Sequence, residues 1–156
     1  MGKLYFTSGM PRCGKSTYCE QWVAEAPKRV IVCSDDIRKS LHGKRYEPLA
    51  ETMVFGIKHV MIRSLLSRGF DVIVDGTHST EISIQRILEI DSDATCIMFD
   101  TTKEECIKRA LATGQNDLIP AIERIHDNLE RNGYYDGEWQ YFLISVNDKV
   151  KARGLY

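Results

Sequence analysis

An α/β fold, with a five-stranded parallel sheet covered by helices on both faces, is predicted by three features of this 156-residue sequence. Short apolar runs rich in Val, Ile, Tyr or Phe alternate with segments of helical spacing along the chain. Those runs are almost continuously hydrophobic, as strands buried on both faces must be. The first run also passes into the first helical segment through a glycine-bearing loop, "GMPRCGKST" at residues 9–17. Sheets of this kind take ligands at the carboxyl ends of their strands, so functional side chains are expected just after each strand.

The elements follow in order. Leu4 to Thr7 reads as the first strand and Lys15 to Glu25 as the helix behind the loop. A second strand is expected at Arg29 to Cys33, then helices at Asp36 to Leu41 and Leu49 to Ser67, the latter ended by Gly69 as a C-terminal cap. Asp71 to Asp75 and Thr95 to Phe99 are the third and fourth strands, separated by a helix at Glu81 to Ile90. Further helices are expected at Lys103 to Ala112 and at Ala121 to Arg131, with Pro120 suited to a first turn. The apolar run Tyr141 to Val146, "YFLISV", reads as a fifth strand.

Composition narrows the class. Hydrophobic residues at 43% and charged residues at 28% are ordinary globular values, and the length suits one domain over 1–156. A formal net charge of −1 means that a polyanionic partner has to be met by local basic patches. Cys13, Cys19, Cys33, Cys96 and Cys106 contain no CxxC spacing, which argues against a disulfide framework or zinc site and suits a reducing cytoplasm. No apolar run approaches the roughly eighteen residues of a membrane span, so no membrane partner is expected.

Gly9, four intervening residues, Gly14, Lys15 and Ser16 match GxxxxGK[ST], with a strand before and a helix after. The glycines let successive amide hydrogens converge, and the helix N-terminus adds positive potential, so residues 9–17 (Gly9, Met10, Pro11, Arg12, Cys13, Gly14, Lys15, Ser16, Thr17) are expected to cradle a nucleotide's phosphates. Lys15 would reach the terminal phosphates and the Ser16 hydroxyl would coordinate magnesium. Asp75, ending "DVIVD", is a second candidate for the metal. The guanine-reading NKxD is absent, "VNDK" at 146–149 having the wrong order, which argues against a GTPase switch.

"GMPRCGKST", "SDDIRKS" after the second strand, "VIVDGTH" at the third and "CIKRA" on a late helix together resemble the P-loop polynucleotide 5′-hydroxyl kinases of phage and bacteria. The resemblance implies a P-loop NTPase fold of the adenylate-kinase-like type with a short lid, ATP as donor, Mg²⁺, and a nucleic-acid 5′-OH end as acceptor. It implies that Asp35 takes the acceptor's proton, that Arg38 holds the acceptor's 3′ phosphate, and that Arg109 meets the donor phosphates from the lid. Asp75 and Thr77 are placed in the acceptor cleft, with His78 where relatives often carry Asn. End-healing partners would be separate chains.

The residues alone leave other readings open. Asp35 and Asp36 could serve as first-turn acids, "DGT" could be an ordinary turn, and a lone His78 does not define a metal site. The basic run "RKSLHGKRY" offers Lys39, Lys44, Arg45 and Tyr46 to a bound strand, or to solvent. Relatives carry more basic residues in the lid, whereas here Lys108 and Arg109 are followed by neutral residues and Asp117; Arg12 is a candidate to compensate. A small-molecule kinase, or an NTP-binding regulator or slow ATPase, remains the alternative.

Overall fold

The computed structural model describes residues 1–154. Four parallel strands form the sheet among these residues: β1 (Leu4–Ser8), β2 (Arg29–Cys33), β3 (Asp71–Asp75) and β4 (Thr95–Met98), in the order β2-β3-β1-β4. Crossovers are supplied by α1 (Lys15–Ala24), α2 (Ser34–His42), α3 (Glu51–Ser67) and α4 (Glu81–Leu88). After β4 come α5 (Lys103–Ala112), α6 (Ile119–Arg131) and α7 (Trp139–Ala152).

Strand parity sorts the core into two layers. Leu4, Phe6, Val32, Val72 and Val74 join the larger cluster, which holds Ile62 and Leu66 of α3, Ile84 and Ile87 of α4, and Val146 and Val150 of α7. The alternate residues Tyr5, Ile31, Ile73 and Ile97 face Cys19 and Trp22 of α1. Pairing runs in register from Leu4 opposite Val72 to Phe6 opposite Val74, and β2 pairs with β3 from Arg29 opposite Asp71 to Cys33 opposite Asp75. Every functional strand therefore ends at the same edge of the sheet.

The expected fifth strand is a helix. "YFLISV" lies inside α7, where Trp139, Val146 and Val150 are buried and Phe142 and Leu143 are partly so, while Tyr141 and Ile144 are exposed. That spacing of three and four is helical, and it emerges only when the residues flanking the six-residue run are included. Helix α2 begins two residues before the expected Asp36, so Asp35 is inside it. Gly69, at φ 85°, closes the turn after α3 as expected, its amide donating to the Leu66 carbonyl.

Two side chains brace the carboxyl edge. The Tyr134 hydroxyl donates to the Ser8 carbonyl at 2.6 Å and accepts from the Phe99 amide at 2.6 Å, tying the chain after α6 to the ends of β1 and β4. The His78 ring is buried, its Nδ1–H donating to the Thr7 carbonyl at 2.6 Å and its plane lying edge-on to Phe6 at 5.4 Å. It is a structural brace, and among the described residues it belongs to no group of potential metal ligands.

Burial, aided by the Lys58 and Lys15 charges, lowers the His78 pKa to about 4. Below its ordinary value of 6.5 the unfolded chain takes up a proton that the folded chain excludes. This contribution to stability is thus complete above that value and is lost as pH falls toward 4, by about 2 kcal/mol between pH 7 and 5. Thermal melts at the two pH values should show that loss in the parent and a smaller one in His78→Asn; equal losses would show that His78 is not its source. Tyr134→Phe, which leaves the Ser8 carbonyl and Phe99 amide without their partner, is expected to cost about 1–3 kcal/mol in denaturant titration.

Candidate active site

The phosphate loop is built between β1 and α1 by backbone shape. Gly14, at φ 103°, caps α1 in a conformation costly for other residues. At Gly9 a Cβ would lie 2.7 Å from the Cys13 sulfur, so a side chain there would displace the buried thiol. The Gly9 amide donates to the Thr77 carbonyl at 3.1 Å, and the Thr101 hydroxyl donates to the Cys13 carbonyl at 2.9 Å. The loop is thereby held from β3 on one side and β4 on the other.

Lys15 is buried, its ammonium donating to the Met10 carbonyl at 2.6 Å and lying 3.8 Å from the Cys13 sulfur. The Ser16 hydroxyl donates to Asp75 Oδ2 at 2.8 Å. Burial pushes the Asp75 carboxyl above its ordinary value; the Ser16 hydroxyl and Lys15 ammonium oppose the rise, and Asp35 and Asp36 add to it. Three carboxylates thus share this edge of the sheet, and two hard oxygen ligands already touch. That donor set suits a small divalent cation, which would favour the ionised form of Asp75.

The other wall comes from α2 and α3. Arg38 NH1 donates to Asp35 Oδ1 at 2.7 Å, the one-face geometry expected three residues apart. Asp35 is exposed and Arg38 half-buried. Glu51, at the start of α3, accepts from Arg38 Nε at 3.0 Å and from NH2 at 2.7 Å, a two-pronged contact that fixes the guanidinium plane. The bond to Arg38 holds the Glu51 carboxyl below its ordinary value against the opposing effect of burial, and Glu51 in turn raises Arg38. Sequence reasoning missed Glu51, because an acid opening a helix is also what electrostatics at a first turn favours.

On α5, Arg109 Nε donates to Glu105 at 3.1 Å and NH1 donates to the Arg12 carbonyl at 3.1 Å, so Arg109 reaches the phosphate loop. Arg12 is exposed and has a φ of 68°. The segment after α5 is a short connection with a 3-10 turn at Asn116–Leu118. Its Asp117 pairs with Arg45 at 2.8 Å, linking this connection to the basic run behind α2. In that run Lys44 pairs with Glu47 and Tyr46 is exposed, so Lys44 and Arg45, like Arg38, already have acidic partners. Thr77 meets the loop through its carbonyl, which accepts from Gly9.

No helix among the described residues is long and apolar enough to cross a membrane. No curated protein matches the chain. Among solved structures, one titled "Structure of the Pnkp1/Rnl/Hen1 RNA repair complex" aligns with a TM-score of 0.75 at 24% identity, over 85% of this chain and 45% of that one. Another, "Structure of Pnkp1/Rnl/Hen1 complex", aligns with a TM-score of 0.65 at 28% identity, over 69% of this chain and 38% of that one. The chain spans less than half of each of these neighbours. A protein-family model described as an AAA domain matches residues 4–131, from β1 to the end of α6, and with the phosphate loop, Asp75 and the parallel sheet all inside that span the chain belongs to the AAA domain family.

Proposed function

We propose that this protein is an ATP-dependent polynucleotide 5′-hydroxyl kinase, transferring the γ-phosphate of ATP to the 5′-OH end of RNA or DNA. The observation that carries the reading is the Asp35–Arg38–Glu51 arrangement at the sheet edge that also carries Ser16 and Asp75. Nucleotide binding alone has no use for a carboxylate held beside a clamped guanidinium. An acceptor that presents a hydroxyl next to a phosphate uses both. The sequence resemblance to the 5′-hydroxyl kinases supports the assignment, as does likeness to chains of an assembly titled as an RNA repair complex.

The residues present fit magnesium: Ser16 Oγ and Asp75 would hold it, and it would neutralise charge on the donor's phosphates. The loop amides and the N-terminus of α1 bind the phosphate chain. Lys15 exchanges the Met10 carbonyl for a terminal phosphate oxygen. Arg38, fixed in plane by Glu51, orients the acceptor through its 3′ phosphate. Asp35 accepts the 5′-hydroxyl proton as that oxygen bonds to the γ-phosphorus and the bond to the β-phosphate oxygen breaks, leaving ADP. Arg109 closes on the donor from the lid, next to Arg12.

Labelled ATP offered with 5′-OH oligonucleotides and with a panel of nucleosides and metabolites tests the acceptor class. Transfer to the oligonucleotides at the higher kcat/KM is expected, whereas preference for a free metabolite or acceptor-independent hydrolysis at the full rate would overturn the reading. Asp35→Asn is expected to lower kcat by roughly 10²- to 10⁴-fold with the KM for ATP unchanged. Arg38→Lys, which cannot reproduce the two-pronged contact, should raise the acceptor KM by about ten-fold or more at constant ATP KM.

A further inference from the structure

The acceptor wall does not end at Arg38. Glu51, Phe55 and Lys58 stand at positions i, i+4 and i+7 of α3 and so share a face, and α4 brings Arg86 toward it. Arg86 Cζ lies 4.2 Å from the Phe55 ring centroid and Lys58 Nζ lies 5.4 Å from the same centroid. Both are within cation–π range of one aromatic ring. A cavity of about 250 Å³ opens here, lined by Phe55, Gly56, Lys58 and His59 of α3 and by Arg86 and Glu89 on the α4 side.

This is an unusual concentration of positive charge. Among the described residues, Arg38 is paired with Glu51 and Asp35, while no ion pair or hydrogen bond takes up Lys58 or Arg86. Glu89, the acid of the cavity, accepts from Gln85 Nε2 at 2.8 Å, and His59 Nε2 accepts from Arg63 at 2.6 Å. Burial, reinforced by Arg38 and Arg86, pulls the Lys58 ammonium down to about 8. Lys58 and Arg86 thus bring two unpaired positive charges to one aromatic ring, and an arriving anion would relieve both.

We propose that the cleft between α3 and α4 is a second phosphate subsite, in which Lys58 and Arg86 hold the phosphodiester following the one at Arg38 and Phe55 offers an apolar wall to the adjoining nucleoside. The inference rests on the 5′-hydroxyl kinase reading and deepens it, directing the acceptor strand from Arg38 along α3 and away from Lys44 and Arg45. Those two already have acidic partners. The cavity is smaller than the roughly 300–1,000 Å³ of a pocket for a whole small molecule, which suits one link of a strand. Charge of this kind gives affinity without base preference.

Steady-state kinetics with a 5′-OH nucleoside 3′-monophosphate and a 5′-OH decanucleotide test it, using the full chain, Lys58→Met, Arg86→Ala and the double variant, with thermal melts confirming that each folds. In the parent the decanucleotide KM should be about ten-fold lower than the mononucleotide KM. The substitutions should erase that advantage while leaving the mononucleotide KM and ATP KM unchanged. For the decanucleotide, each should also reduce the slope of log KM against log salt by about 0.7. A parent with no length advantage, an advantage that survives in the double variant, or equal losses for both acceptors would overturn the subsite and leave the kinase reading standing. A parent that phosphorylates neither acceptor would overturn the kinase reading, and the subsite with it.

Discussion

The parallel pairing of β1 with β3 is the constraint on which the rest of the site depends. These central strands are buried on both faces, and their register brings Ser8 and Asp75 to the same edge. The seam is then stitched beyond the ladder. The Thr7 hydroxyl donates to the Gly76 carbonyl, the Ser8 hydroxyl donates to the His78 carbonyl, and the Gly9 amide donates to the Thr77 carbonyl. A slip of one residue would turn Val72 and Val74 away from the α3 layer and move Asp75 from Ser16. Hydrophobic parity thereby sets the position of a polar pair that contributes little to the core.

Each important cation of the cleft rests on a definite oxygen. Lys15 donates to the Met10 carbonyl, Arg38 to Glu51 and Asp35, and Arg109 to Glu105 and the Arg12 carbonyl. A phosphate oxygen could replace the Met10 carbonyl at Lys15 and the Arg12 carbonyl at Arg109, while Glu51 holds the plane of Arg38. These side chains are already ordered, so they would lose little further freedom on binding. Arg38 is the most constrained, because Glu51 and Asp35 engage three of its nitrogens at once.

The two walls have different origins. The proposed donor wall grows from β1, β3 and β4, where Thr101 and Thr77 grip the loop, and is rigid because the sheet is rigid. The proposed acceptor wall is carried by α2 and α3, joined through a 3-10 turn at Pro48–Ala50 and by the Arg38–Glu51 pair. Arg45 and Asp117 connect that wall to the segment after α5 across two exposed side chains. An exposed pair of this kind is weak, so it can form and break as ligands pass.

The sequence by itself determined the alternating α/β order, four strands, the phosphate loop and the one-face relation of Asp35 to Arg38. All of these follow from local periodicity or short spacing, which a linear reading can see. The fifth strand failed because "YFLISV" is short enough for either period, and its true partners, Trp139 and Val150, lie outside the run. Only the tertiary structure decided that Asp75 meets Ser16 across 59 positions, that Glu51 holds Arg38 across 13, and that Lys58 and Arg86 flank the ring of Phe55. Such contacts join helices and strands distant in the chain, and they depend on how the layers pack, which no single window of sequence encodes.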